Sequence, residues 1–443
     1  MRNLSLSKKA MIANVVATAA LMAILPSTAY AAVEGETAFI FNSFSFLLNG
    51  ALVMWMAAGF AMLEAGLVRK KNTATICLKN IALYSVAALT FYLVGYNLMY
   101  LDVTGYIGTF NPFWSPDDTA ALAGTFEEGG GYSSTSDWFF QMVFVATAAS
   151  IVSGTMAERV KLWPFLAFVF LLTAIVYPIQ GSWVWGGGWL DAMGFSDYAG
   201  STLVHSVGGW SALTGAIILG PRIGKYAKDG RVMPFPGSNL PLATLGTFIL
   251  WLGWFGFNGG SVLALGSAAS VIEMANVFAN TNMAAVGGVL AAMAATQLLY
   301  KKVDLTMALN GAIAGLVSIT AEPADPTIGM AIMIGAVGGV LAVLAVPLLD
   351  KLKIDDVVGA IPAHLVAGIW GTLAVVISDK DATLITQLTG IVAIGAFVIV
   401  TSTILWLALK YTVGIRASEE DEAIGLDKAE LGLEAYPEFG PSM

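Results

Sequence analysis

The chain has 443 residues, 57% of them hydrophobic and only 12% charged, with a formal net charge of −9 and a mean hydropathy of +0.77. A soluble domain carries roughly twice that charged fraction, so a water-soluble enzyme is excluded, and the acidic balance argues against nucleic acid as a partner. The composition is that of a polytopic all-α membrane protein.

The first 31 residues stand apart. MRNLSLSKK is basic, AMIANVVATAALMAIL is apolar, and STAYAA offers a small-residue cleavage site at Ala29–Ala31. That order is the pattern of a secretory signal peptide, with cleavage expected near Ala32. A retained first membrane helix is the alternative. The expected division is a signal peptide over 1–31, a membrane domain over 32–411 and a cytoplasmic tail over 412–443.

Eleven apolar runs follow, centred near Leu52, Ala88, Val145, Leu171, Ala212, Leu250, Met283, Ala314, Met333, Ile369 and Ala396. A spanning helix needs about 20 such residues. Three of the 21 Lys and Arg residues lie in the leader; of the other 18, all but Lys380 fall in alternate intervals on one side. The positive-inside rule makes that side cytoplasmic, which predicts an inner-membrane protein with its N-terminus outside and its C-terminus inside. The opposite intervals are acidic, with Asp102, Asp117, Asp118, Glu127, Asp137, Asp191 and Asp197 among them. An acidic mouth concentrates cations; it is equally what remains once basic residues are excluded.

The lone cysteine, Cys77, forbids an internal disulfide and reads as inert packing. GPRIGKY at 220–226 lacks the spacing and the final Ser/Thr of a phosphate loop. No nucleophile–base pair and no metal-ligand cluster is visible, so neither an enzyme nor a cofactor is implied.

The chain repeats itself. DYAGSTLVHSVGG and DVVGAIPAHLVAG share D-x2-G-x4-H-x3-G, aligning Asp197, Gly200, His205 and Gly209 with Asp356, Gly359, His364 and Gly368. The copies are five spans apart, an odd number, so they enter from opposite sides. That is the inverted repeat of many transporters, whose substrate path runs at the repeat interface. These two are the only histidines. One histidine in a bilayer is a functional group or interhelical glue. Two in matched, opposed helices argue for a shared pathway. Each lies roughly 12 Å from its Asp at helical rise, so the rings meet only if both mouths are recessed. A neutral imidazole offers one donor and one acceptor, which suits a small amine-like molecule and its proton better than a hydrated metal ion. Asp197 and Asp356 also read as helix N-caps.

With these motifs the chain resembles the ammonium transporter / methylammonium permease / Rhesus family, in its bacterial ammonium transporter branch. DYAGSTLVH, GTFILWLGWFGFNGGS, AGLVRKKNTATICLKN, FFQMVFVATAASIVSGTMAER and DDVVGAIPAHLVAGIWGTL carry the resemblance over nearly the whole mature chain. It implies eleven helices in two inverted five-helix repeats plus one, a pore through each protomer, and a homotrimer that takes up ammonium or ammonia, with methylammonium as analogue. It further implies recruitment of the cation at Trp185 and Ser261, a phenylalanine gate of Phe144 and Phe257, and a pore relay of His205, His364 and Asp197. The Rhesus branch, an electroneutral NH₃ or CO₂ facilitator, tends to lack the recruitment Trp. An ammonium sensor is a third reading. A PII-type regulatory protein at the cytoplasmic face is also implied. Against it, the tail's GLDKAELGLEAY has Leu431 and Leu433 where the family pattern has His and Glu.

Overall fold

Backbone N–H and C=O groups inside a bilayer must be satisfied within the chain, and long apolar runs do so as helices. The computed structural model describes residues 34–437, and the expected signal peptide lies outside them. Ten helices among the described residues are long and apolar enough to span: α1 Gly35–Leu67, α2 Lys70–Tyr100, α3 Ser134–Met156, α4 Leu162–Ser182, α5 Ser201–Leu219, α6 Leu240–Gly260, α7 Ala268–Tyr300, α9 Ile328–Lys351, α10 Ile361–Ser378 and α11 Leu384–Thr412. Between α7 and α9 lies α8, Leu305–Ile319, apolar but only 15 residues long. A one-and-a-half-turn helix, α12 (Glu419–Ile424), follows in the tail. Among the described residues no strand forms beyond two isolated bridges, Val160–Arg416 and Tyr226–Val232.

The helices pack on small residues. A Cβ at Gly59 would stand 2.9 Å from the backbone of Leu250, and one at Gly246 would overlap Leu63, so α1 and α6 touch backbone to backbone. Gly288, Gly311 and Gly339 do the same for α7, α8 and α9. This is the packing expected without a hydrophobic drive between helices. Hydroxyl pairs cross the bundle at Thr90–Thr173, Thr202–Thr372 and Thr214–Ser402, each at 2.7–2.9 Å. Large apolar side chains such as Leu290, Val392 and Ile404 point outward, at 60–65% exposure, as a lipid-facing surface requires.

Three sequence readings shift. Cys77 is exposed on α2 rather than packed inside. Lys79, counted with the cytoplasmic loops, is buried within α2 and donates to the carbonyl of Ser153 at 2.8 Å. Asp137, counted with the acidic loops, is buried in the first turn of α3.

At the basic end, charges are tied together rather than scattered. Glu158 pairs with Arg69 and Arg222, and Arg222 also grips Asp355 through two bonds of 2.8 and 2.9 Å. Burial works against the Asp355 carboxylate, but the Arg222 hydrogen bonds and the Arg159 and Arg222 charges hold it well below the usual range. Beneath this network the tail folds back onto the helices. Asp427 accepts from the backbone N–H of Ala74 and Thr75 at 3.0 and 2.7 Å, where the α-helical part of α2 begins at Thr73. Glu430 accepts from the N–H of Leu162, the first residue of α4, at 3.1 Å.

Candidate functional site

The two repeat motifs build the site. At the head of α5, Asp197 is 3% exposed. Its carboxylate accepts from the N–H groups of Gly200, Ser201, Thr202 and Leu203 at 2.8–3.1 Å. Those are donors a helix start leaves unsatisfied. Gly200 makes the turn into the helix at φ +107°, the left-handed region that glycine enters freely. At the head of α10 the same device recurs. Asp356 accepts from Gly359 and Ile361 at 3.2 and 2.7 Å and from the Thr155 hydroxyl at 3.0 Å, with Gly359 at φ +80°. Each helix then begins with a widened, π-type turn, over Ser201–Ser206 and Ile361–Val366. Such turns re-aim side chains and gather at functional sites. His205 and His364 sit in these two turns.

The turns bring both rings to one point. His205 Nδ1 and His364 Nδ1 lie 3.2 Å apart, and the rings are stacked at 5.3 Å, 159 residues apart in sequence. Only one hydrogen fits between two ring nitrogens, so one imidazole donates and the other accepts. The donor then has a bare Nε2 and the acceptor an Nε2–H. As a unit the pair offers one acceptor and one donor. His205 Nε2 is buried with no protein partner. Trp254 stacks on the His205 ring at 4.9 Å, and its own Nε1 is held by Thr320 at 2.8 Å.

Outward of the pair, Phe257 lies 5.2 Å from His205 and stacks on Phe144 at 4.0 Å. Both phenyl rings are at most 1% exposed. They close the path with apolar surface. A hydrated ion cannot cross that surface without losing its water. Phe140 backs the plug at 4.8 Å from Phe144.

Beyond the plug lies a cavity of about 480 Å³ whose lining includes Phe144, Trp185 and Ser261. Trp185 meets Phe144 edge-on at 6.0 Å, and its Nε1 donates to the Asp197 carbonyl at 3.0 Å. That bond fixes the indole against the cavity. Ser261 directly follows α6, and its hydroxyl donates to the Phe257 carbonyl at 2.9 Å. The hydroxyl hydrogen is thus spent inside the protein, and the oxygen lone pairs remain for a donor such as N–H.

The structure brings Trp185, Ser261, Phe144, Phe257, His205 and His364 into one line. Asp197 stands beside it. Four backbone N–H groups at the start of α5 fill its carboxylate and none of its hydrogen bonds reaches a histidine; the N-cap position itself is Gly200, three residues on. Burial raises its pKa to about 6 against the pull of those four donors. Trp254 and Phe140 also line this path, within the motifs GTFILWLGWFGFNGGS and FFQMVF, and the motifs alone give them no role. Their signal is the helical spacing: Trp254 is three before Phe257, and Phe140 four before Phe144, so each pair shares a helix face. Among the described residues no group of three His, Cys, Asp or Glu is placed to hold a metal ion.

The model of the Ammonium Transporter Family matches residues 44–436. Ammonium transporter Amt2 of Archaeoglobus fulgidus is 42% identical over 424 residues, spanning 89% of this chain and 87% of the relative. The putative ammonium transporter sll1017 of a Synechocystis species is 40% identical, over 90% and 89%. Among solved structures, one named "Sensor Amt Protein" superposes with a TM-score of 0.82 at 37% identity, covering 89% of this chain and 98% of that one. Mep2 of Candida albicans gives a TM-score of 0.79 at 28% identity, covering 92% and 94%.

Proposed function

The chain belongs to the Ammonium Transporter Family, and on that premise we propose that it takes up ammonium across a cell's inner membrane, through a pore within each protomer of a homotrimer. The cation is drawn to the outer cavity by Trp185 and Ser261. An indole face favours a bare cation by about 0.5–2 kcal/mol, and the free lone pairs of Ser261 select a cation with N–H groups over K⁺, which has none to give. The Phe144–Phe257 plug strips remaining water. The twin histidines then accept and return hydrogen bonds as ammonia passes, and their shared hydrogen gives a path for its proton. Asp197 acts by holding the His205 turn and by its charge near the mouth. The two entry helices, alike in their capping Asp, positive-φ Gly and His, support an inverted repeat that crosses eleven times, with the N-terminus outside and the tail in the cytoplasm. The cleaved leader and the 32–411 and 412–443 division belong to the same reading. A PII-type partner fits it poorly, since Leu433 is half exposed where the family pattern has Glu.

The observation that carries this reading is the contact of a stacked phenylalanine plug with a hydrogen-bonded histidine pair. The test is an ammonium jump over reconstituted vesicles on a solid-supported membrane, with K⁺ and methylammonium as competitors. Current with ammonium and methylammonium but not K⁺ is expected. Uptake without charge movement would replace it by Rhesus-like NH₃ passage. The likeness to a sensor favours a second reading: ammonium binding without flux in the same vesicles would establish it.

A further inference from the structure

Seven residues before Phe144, Asp137 lines the same outer cavity. At helical rise that is about 10 Å outward of the plug. Its side chain is 7% exposed. No ion pair among the described residues includes it, and the cavity lining contains no Lys, Arg or His. Asp137 occupies the first turn of α3, where a carboxylate favours the helix dipole. Yet it takes no backbone N–H there. It accepts instead from the Tyr96 hydroxyl and from Gln141 Nε2, the latter at 3.2 Å. A carboxylate has about four acceptor positions, so half remain open. Tyr100 also lines the cavity, its ring 5.1 Å from that of Tyr96, and its shielded hydroxyl has no partner in the protein. A buried charge without a counter-charge is unfavourable, and here the only place for one is the cavity.

We propose that Asp137, with the ring faces of Tyr96 and Tyr100, forms a second cation subsite, outside Trp185 and Ser261, for a small monovalent ammonium-type ion. The carboxylate supplies the charge and two open acceptor positions for N–H donors. The tyrosine rings supply cation–π faces. The subsite loads the cation and hands it inward along the face of α3 that carries Asp137, Gln141 and Phe144. The inference rests on the transport reading above.

The test is uptake of labelled methylammonium into vesicles holding the full chain, which reads flux whether or not charge moves. Asp137→Asn is expected to raise the half-saturating concentration about tenfold, the loss of one charge-assisted contact, with maximal rate changed less than about twofold. Asp137→Glu should recover most of the affinity. Asp102→Asn, which removes an exposed acidic charge of the adjoining loop without touching the cavity, should leave half-saturation unchanged. An unshifted half-saturation in Asp137→Asn overturns the subsite, as does an equal shift in Asp102→Asn, which would make the effect one of overall charge. Should Asp137→Asn fail to fold, Tyr96→Phe removes the hydroxyl that aims the carboxylate. A rise of about threefold supports the subsite and no rise overturns it. Absence of methylammonium uptake in the unmodified chain would refute the transport reading itself.

Discussion

His205 is the residue on which most of the chemistry converges. Its Nδ1 is committed to His364 at 3.2 Å, one ring face to Trp254, and its Nε2 to no protein atom. A buried polar atom left without a partner costs about 1–3 kcal/mol. A passing N–H or N: group removes that penalty, so the site is tuned to an amine-like molecule. His205→Ala leaves His364 Nδ1 orphaned and opens a space beside Phe257. Ammonium-linked current should fall at least tenfold, or K⁺ should begin to carry current through the widened path. Both appear in ammonium and K⁺ jumps on the same vesicles. Unchanged rate and selectivity would remove the pair from the mechanism.

At the scale of the element, two helix entries decide where those rings stand. Gly200 lies at φ +107°, and a Cβ there would meet Val204 Cγ2 at 2.5 Å and Trp185 at 3.1 Å. Gly200→Ala therefore strains the backbone, by about 1–3 kcal/mol, and presses on the indole and the first turn of α5 together. A lower melting temperature in detergent and reduced uptake are expected. Gly329→Ala, at ordinary φ with nothing within 4 Å, should change neither. The sequence made these entries visible because the device is local: Asp, Gly and His at fixed spacing recur twice. The lipid-facing spans were legible for the same reason, as runs of one character. What lay hidden depends on approach across the bundle. Lys79 and Asp137 read as loop charges because charge is rare inside a span, and only the folded chain supplies the Ser153 carbonyl that accepts from Lys79 and the Tyr96 hydroxyl that donates to Asp137. The joining of two histidines 159 residues apart needed the widened turns, which no residue pattern announces.

Across the whole molecule, the tail is an integral clamp. Asp427 caps the α-helical part of α2 near its start at Thr73, Glu430 the first residue of α4, and Glu422 joins Arg416 at 2.7 Å to the N–H of Ile223 at 2.6 Å, in the α5–α6 loop. Lys71 completes the clamp by donating to the carbonyls of Glu422 and Ala423 at 2.7 Å. Three separate stretches of the basic face are thus fixed to one another through about a dozen tail residues. Each carboxylate at a helix start contributes charge where the dipole is positive. Removing one cap of this type costs about 1 kcal/mol, or roughly a fivefold larger population of undocked tail. Asp427→Ala should accordingly speed proteolytic clipping after Arg416 about fivefold or more, with the membrane domain intact. Because the same tail, through Glu422, also holds the loop that follows α5, the helix that carries His205, ammonium uptake should change in the same variant. Faster clipping with unaltered uptake would show the clamp to be a fastening of the tail alone, uncoupled from the pore.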